Sequence, residues 1–209
     1  MTSSPDKPAP PAKAPARRRS STGAARNPES ERAILDAAEE ILVTEGPAGL
    51  SFEAVARRAG AGKPTLYRRW PTRAALILAV HGRQKPWLTD VDTGSLEGDL
   101  DYLFRELWRF WSDTPGGNAV RCVIAEAQVN PAARPALEDY VSQIRGHLAP
   151  LLERARARGE AADDVDGEVF QELLFGFNWV RLLTADTEPP AEKRQAAARM
   201  IARAVGRGR

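Results

Sequence analysis

The sequence predicts an all-α chain, and three observations predict it. Apolar residues recur at offsets of three and four through most of the 209 residues, the spacing of one helical face. No strand-like alternation and no repeat of solenoid period interrupts that pattern. Glycine, proline and short hydroxyl or amide side chains fall between the periodic segments, where helices start and stop.

Residues 1–27 stand outside the pattern. Pro5, Pro8, Pro10, Pro11 and Pro15 punctuate Ala, Ser, Lys and Arg, with no large apolar side chain after Met1; a disordered basic tail is expected. Two roles stand open for it: a solvated tail, or an arm lying on phosphates or in a minor groove. Asn27 and Pro28 then read as cap and first position of a helix. Its inner stripe is Ile34, Leu35, Ala38, Ile41 and Leu42, and Gly46-Pro47 ends it. Ser51 is placed to cap a second helix carrying Phe52, Val55 and Ala59 inward. Gly60-Ala61-Gly62 stops that helix with glycine's tolerance of positive φ. Pro64 opens the next helix, where a missing N–H costs nothing. Leu66 and Trp70 face inward from it; Thr65, Tyr67, Arg68 and Arg69 face outward. Residues 51–70 therefore have the layout of a helix-turn-helix, whose second helix enters the DNA major groove. Thr72 can cap a fourth helix with Leu76, Leu78, Ala79 and Val80 apolar, running to Lys85 and ending near Pro86.

From about residue 95 the helices continue. Leu100, Leu103, Phe104, Leu107, Trp108 and Trp111 form one broad face, closed by Pro115-Gly116-Gly117. Val120, Val123, Ile124 and Ala127 form the next. Pro131 to Arg158 reads as a long helix with Leu137, Tyr140, Val141, Ile144, Leu148, Leu151 and Leu152 inward, open to a kink at Pro135 or Pro150. Val165 to Leu183 is apolar on most sides, so burial on two faces is expected. A last helix spans roughly Pro190 to Val205.

The residues just quoted resemble the DNA-binding domain of the tetracycline-repressor (TetR) family of bacterial transcription regulators. The resemblance covers roughly residues 28–85, from the helix around Arg32–Leu42 with Glu45-Gly46, through 51–70, to Pro71-Thr72-Arg73-Ala74-Ala75-Leu76. Gly62 departs from the serine that is frequent there, and Trp70 from the commoner phenylalanine, with its core role kept. The resemblance implies that Tyr67 meets phosphate, that Lys63, Thr65 and Arg68 approach bases, and that Thr72, Arg73 and Ser51 meet the backbone. Pro64 and Arg69 complete the expected DNA-binding set. The chemistry suits these roles: guanidinium matches guanine O6 and N7, and hydroxyls suit phosphate oxygens. The implied organisation is a basic tail (1–27), a helix-turn-helix domain (28–88) whose fourth helix joins it to the rest, and a larger helical ligand-binding and dimerisation domain (89–209).

Charge distribution agrees with a DNA-facing N-terminal end. The net charge is only +2, yet residues 1–27 hold six basic side chains against one acidic, and residues 28–85 nine against seven. The remainder, with fifteen basic against twenty acidic, is net negative; positive charge thus sits where phosphates would use it. Cys122 is the single cysteine, which excludes an intrachain disulfide and fits a reducing cytosol. A buried, inert thiol is expected there. His81 and His147 have no ligand cluster beside them, so no metal or cofactor is expected. No apolar run reaches membrane-spanning length, and Arg17-Arg18-Arg19 precedes polar residues where an export signal needs apolar ones. No nucleophile–base set and no phosphate-cradling loop is present, so an enzyme is not expected.

In the C-terminal half, Phe104, Trp108, Trp111, Phe175, Asn178, Trp179 and Arg181 are the candidate ligand-pocket residues. Aromatics at helical spacing are ordinarily core; Asn178 and Arg181 stand out because polar groups in so apolar a helix need partners, whether solvent, a second subunit or a ligand. A largely apolar effector is expected. The resemblance places a dimer contact on the last two helices, here through Phe170, Leu174, Phe177, Met200 and Ile201. It implies a cytoplasmic, ligand-responsive regulator, in the repressor sense, binding a palindromic operator as a homodimer. Two other readings remain: a sequence-tolerant nucleoid-type DNA-binding protein using the basic tail, and a TetR-like scaffold serving mainly as a small-molecule or protein-binding module.

Overall fold

A computed structural model describes residues 28–84 and 91–206. The tail, the Asn27 cap, and the expected helix end at Lys85-Pro86 lie outside the described residues. Ten helices follow in order: α1 (Pro28–Thr44), α2 (Gly46–Gly49), α3 (Phe52–Ala59), α4 (Lys63–Arg69), α5 (Arg73–Arg83), α6 (Leu96–Asp113), α7 (Gly116–Val129), α8 (Arg134–Ala157), α9 (Gly167–Thr184) and α10 (Ala191–Val205). The all-α expectation holds. The first helix ends before Gly46-Pro47 as expected, but the single turn α2 that follows was not anticipated: Gly46, at φ 69°, turns the chain and Pro47 lies in the first turn of α2.

Local sequence explains the N-terminal elements. The Ser51 hydroxyl accepts from the Ala54 amide at 3.1 Å and caps α3. Gly60 lies in the left-handed region at φ 60°, and the Ala61 amide returns to the Ala56 carbonyl at 3.0 Å, which closes α3 before α4 begins. The Thr72 hydroxyl caps α5 through the Ala75 amide at 3.1 Å. Ile34, Ala38, Ile41, Val55, Leu66 and Trp70 are buried together, so α1, α3 and α4 share one core.

The helix α5 is buried almost all round, through Ala74, Leu76, Ile77, Leu78, Val80 and His81. It packs on α1 on one side and on α7 and α8 on the other. At its C-terminal end Arg83 pairs with Asp36 at 2.6 Å and with Glu39, and the Gln84 amide donates to Glu39 at 2.7 Å. Ion pairs thus tie the end of α5 to α1.

In the C-terminal half α6 is the central helix, touching α7, α8, α9 and α10. Its start is fixed by buried Asp99, whose carboxylate accepts from the Thr93 amide at 2.6 Å and from Arg158 at 3.0 Å. Arg194 pairs with Asp101 at 2.7 Å and fastens α10 to α6. The helix α8 stays continuous over 24 residues with Pro150 inside it, and Pro135 lies in its first turn. The expected burial of α9 on two faces is corrected: Phe170, Leu174, Asn178 and Leu182 face the core, while Val169, Leu173, Val180 and Leu183 are more than half exposed. Apolar character on most sides of the helix predicts two buried faces, but the single chain supplies neighbours for one side only.

Candidate nucleic-acid interface and interior cavity

On α4, Leu66 is fully buried and Trp70 nearly so, which leaves Lys63, Pro64, Tyr67, Arg68 and Arg69 on the exposed side. Thr65 is half-buried rather than fully outward. Tyr67 is 48% exposed, and its ring lies 4.4 Å from that of Phe52. This contact holds the phenol at a set angle on the outer face. Arg68 is exposed and makes no hydrogen bond or ion pair among the described residues. It is therefore free to reach a base edge.

Neighbouring charges are engaged. Lys63 donates to Glu53 at 2.6 Å, and this ammonium holds the Glu53 carboxyl below its ordinary range. Arg69 pairs with Glu31 at 2.6 Å. Arg73 donates to the Pro47 carbonyl at 3.0 Å and lies 3.7 Å from Glu126 on α7. The Ser51 and Thr72 oxygens accept from their own helices, which leaves each hydroxyl hydrogen available as a donor. Ser51, Lys63, Tyr67, Arg68 and Arg69 are all exposed around α3 and α4.

The second feature is a cavity of about 40 Å³ between α6, α7, α8 and α9. It is narrower than the ~300–1,000 Å³ of a typical small-molecule site. Its lining is Leu103, Leu107, Trp111, Val120, Tyr140, Ile144, Leu148, Leu174, Phe175, Asn178, Trp179 and Leu182. Of the seven ligand residues expected from sequence, Trp111, Phe175, Asn178 and Trp179 line it. Phe104, Trp108 and Arg181 do not. Phe104 is fully buried and stacks on Trp108 with ring centroids 5.8 Å apart.

The polar pair in α9 found partners inside the chain. Asn178 accepts from the Trp108 indole at 2.8 Å and donates to the Leu174 carbonyl at 2.7 Å. Arg181 lies 5.2 Å over the Trp108 ring and pairs with Asp186 at 2.6 Å. Both side chains are thereby satisfied by packing, which removes the need for a ligand to complete them. The expected dimer residues divide too. Phe170 and Leu174 are 1% exposed, and Phe177 packs on Phe104 and Trp108, so these three serve the chain's own core. Met200 is 71% exposed and Ile201 half-buried. Cys122 is half-buried rather than sealed.

Sequence reasoning missed the role of Tyr140 and its partner. Buried Tyr140 of α8 lines the cavity, and its hydroxyl shares a 3.0 Å hydrogen bond with His81 Nδ1 on α5. Burial pushes the Tyr140 phenol well above its ordinary range, so it keeps its proton. On another side Tyr140 borders an open cleft with Arg69, Trp70 and Pro71, at the junction of α4 and α5. One side chain therefore lines the cavity, bonds to the junction helix and borders the cleft beside the end of the recognition helix. The only available signal was a lone histidine in an apolar helix, and its partner is 59 positions away.

Among the described residues, no cluster of three or more His, Cys, Asp or Glu could hold a metal, and no helix is long and apolar enough to cross a membrane. Comparison with known proteins bears on the whole chain. Residues 34–80 match the family model described as bacterial regulatory proteins of the tetR family, and residues 90–193 match the tetracyclin repressor-like C-terminal domain. The DNA-binding transcriptional repressor TetR of Mycobacteroides abscessus is 32% identical over 157 residues, which span 71% of this chain and 80% of that protein. The regulator AqdR of Rhodococcus erythropolis is 28% identical over 170 residues, 80% of this chain and 81% of its own length. The crystal structure of the TetR family transcription regulator SCO0332 superposes with a TM-score of 0.75 at 33% identity, covering 85% of this chain and 98% of that one. The exposed recognition face, the linking helix and these likenesses lead to one assignment: the chain belongs to the TetR family of DNA-binding transcription regulators.

Proposed function

We propose that this regulator is a ligand-responsive repressor that binds a palindromic operator as a homodimer and releases it when an apolar effector occupies the cavity. The observation that carries this reading is Tyr140, which lines the cavity and is hydrogen-bonded to His81 on α5. An occupant that displaces Tyr140 acts on the helix that begins four residues after the recognition helix ends. Effector energy counts only through its difference between the DNA-competent and DNA-incompetent states, and a wall residue bonded to α5 supplies such a difference. A relative named as a DNA-binding transcriptional repressor supports the sign of the regulation.

In this reading Tyr67, Ser51, Thr72 and Arg73 orient the protein on phosphates, and Lys63, Thr65 and Arg68 approach bases. The exposed apolar residues Val169, Leu173, Val180 and Leu183 of α9, with Met200 of α10, form the contact between subunits. They replace Phe170, Leu174 and Phe177 in that role. Two recognition helices are then presented about 34–36 Å apart on one DNA face. The setting is cytoplasmic, where the operator is.

The test is selection of genomic fragments by the purified protein, followed by footprinting. A short protected palindrome supports the reading; uniform protection along DNA returns the nucleoid-type alternative. Arg68→Ala should cost about 1–3 kcal/mol at one base pair of each half-site, measured by titrating single-base operator variants. A loss equal at every position would place Arg68 on phosphate instead.

A further inference from the structure

The three cations of the recognition helix α4 are not equivalent. Lys63, its first residue, donates to Glu53 of α3 at 2.6 Å, and Arg69, its last, pairs with Glu31 of α1 at 2.6 Å. Arg68 has neither a hydrogen bond nor an ion pair among the described residues. The Cα atoms of the two paired cations stand about 9 Å apart along the axis, at ~1.5 Å of rise per residue. A carboxylate from another helix therefore sits at each end of α4.

Pairing changes what each cation can do. Non-specific affinity for DNA comes from cations that displace counterions from phosphates, each adding about 0.9 to the salt slope. An ammonium or guanidinium already neutralised by a carboxylate supplies no such net charge. To take a phosphate it must leave its carboxylate, which then faces the DNA as a like charge. Base reading is a different matter. An ammonium has three donors and a guanidinium five, so Lys63 and Arg69 keep N–H groups for a base edge while they stay paired. Both side chains are exposed, and the carboxylates fix the direction of those donors.

We propose that Glu31 and Glu53 are positioning residues that set the sequence specificity of this face, by turning Lys63 and Arg69 from phosphate-seeking charges into directed, charge-compensated donors. This rests on the reading of α4 as the helix that meets bases. Arg68, with no carboxylate partner, keeps its full charge. A sequence without acceptors for the paired donors offers only phosphates, and those are reached only by breaking the pairs. The two carboxylates thus weaken the non-specific complex more than the operator complex, which widens the gap between them.

The test uses the full chain, a labelled duplex carrying the selected operator and a scrambled duplex of the same length and composition. Parent and the double variant Glu31→Gln, Glu53→Gln are titrated by fluorescence anisotropy between about 50 and 200 mM salt. At the lowest salt the double variant should bind the scrambled duplex about tenfold more tightly, with a salt slope steeper by about 2. Its operator affinity should stay within about threefold, so the ratio of the two affinities falls by at least about threefold. An equal gain on both duplexes, or an unchanged slope, overturns the inference. Adding Lys63→Met and Arg69→Met to the double variant should abolish the gain on the scrambled duplex. A gain that survives those changes comes from long-range charge and overturns the role of the pairs. A parent that binds both duplexes alike overturns the operator reading, and this inference with it. Should the double variant not fold, Glu53→Gln alone decides, since Glu53 is exposed. Its scrambled-duplex affinity should rise about threefold with a slope steeper by about 1, and no change there overturns the assignment.

Discussion

The helix-turn-helix and the cavity-bearing bundle solve the same problem, the placement of polar groups beside an apolar core, in opposite ways. In residues 51–73 the polar atoms that shape the fold act locally: Ser51 bonds three residues ahead, Thr72 likewise, and Gly60 closes its own helix. In the bundle the partners are remote. Asn178 meets Trp108 across 70 positions, Tyr140 meets His81 across 59, and Arg158 meets Asp99 across 59. A locally determined motif tolerates change in the rest of the chain. A remotely determined interior is specific to its own packing.

The largest expected effect contrasts two buried leucines. Leu66, fully buried in the DNA-binding core, and Leu174, 1% exposed on the cavity wall, should both lose stability on replacement by alanine. Such truncations cost about 2–5 kcal/mol. Urea unfolding should place Leu66→Ala near the top of that range. Leu174→Ala merges its void with existing space and should regain stability when a bulkier apolar compound is added. Equal losses, unrecovered by any ligand, would show that the wall is ordinary core.

Next in size is Asn178→Leu. It removes the acceptor of the buried Trp108 indole, at a cost of about 1–3 kcal/mol, and should shift Trp108 emission without altering operator affinity of the remaining folded protein. A loss of operator affinity beyond the unfolded fraction would mean that the bundle's interior bonds reach the DNA-binding face by themselves.

Tyr140→Phe probes the link between the regions. The ring still lines the cavity, but the bond to His81 is gone. Operator binding should stay within about twofold, while the ratio of operator affinities without and with ligand should fall by about three- to tenfold, roughly 1 kcal/mol of coupling. The measurement is fluorescence anisotropy of labelled operator across a ligand titration. An unchanged ratio would move the coupling to another contact between α5 and its neighbours.

The smallest effect lies at the exposed Lys63–Glu53 pair. The Lys63 ammonium lowers the Glu53 pKa from its ordinary 4.5, so the pair's contribution to stability is present above that value. It is lost as pH falls through the depressed folded value. Parent and Glu53→Gln should therefore differ slightly in unfolding midpoint at pH 6 and converge near pH 3. Because Glu53 stands beside the recognition face and binds Lys63, Glu53→Gln should also bind DNA slightly more tightly at low salt, a gain that vanishes as salt screens the charge.

The difference between the regions also sets what could be read in advance. The order of α3, turn, α4 and α5 follows from caps, glycine φ and the three-and-four spacing, all of which lie within a few residues of their effect. Exposure of Tyr67 and Arg68 follows from the same periodicity. Periodicity says which face a side chain leaves from, not what it meets, so the contacts of Arg73 with Pro47 and Glu126 from other elements were not legible in advance. Leu174 was assigned to a subunit contact for the same reason, since apolar character alone does not tell an interior wall from an exposed one.

The sequence by itself determined the helical class, the helix-turn-helix and the residues of its outer face, because each depends on interactions that span one or two helical turns. Only the tertiary structure decided that Asn178 and Arg181 complete a core, that Val169, Leu173, Val180 and Leu183 are the open face of α9, and that Tyr140 joins the cavity to α5. Those outcomes depend on which surfaces meet when α5 through α10 pack. The same hydrophobic stripe is compatible with several neighbours until the geometry of the whole bundle selects one.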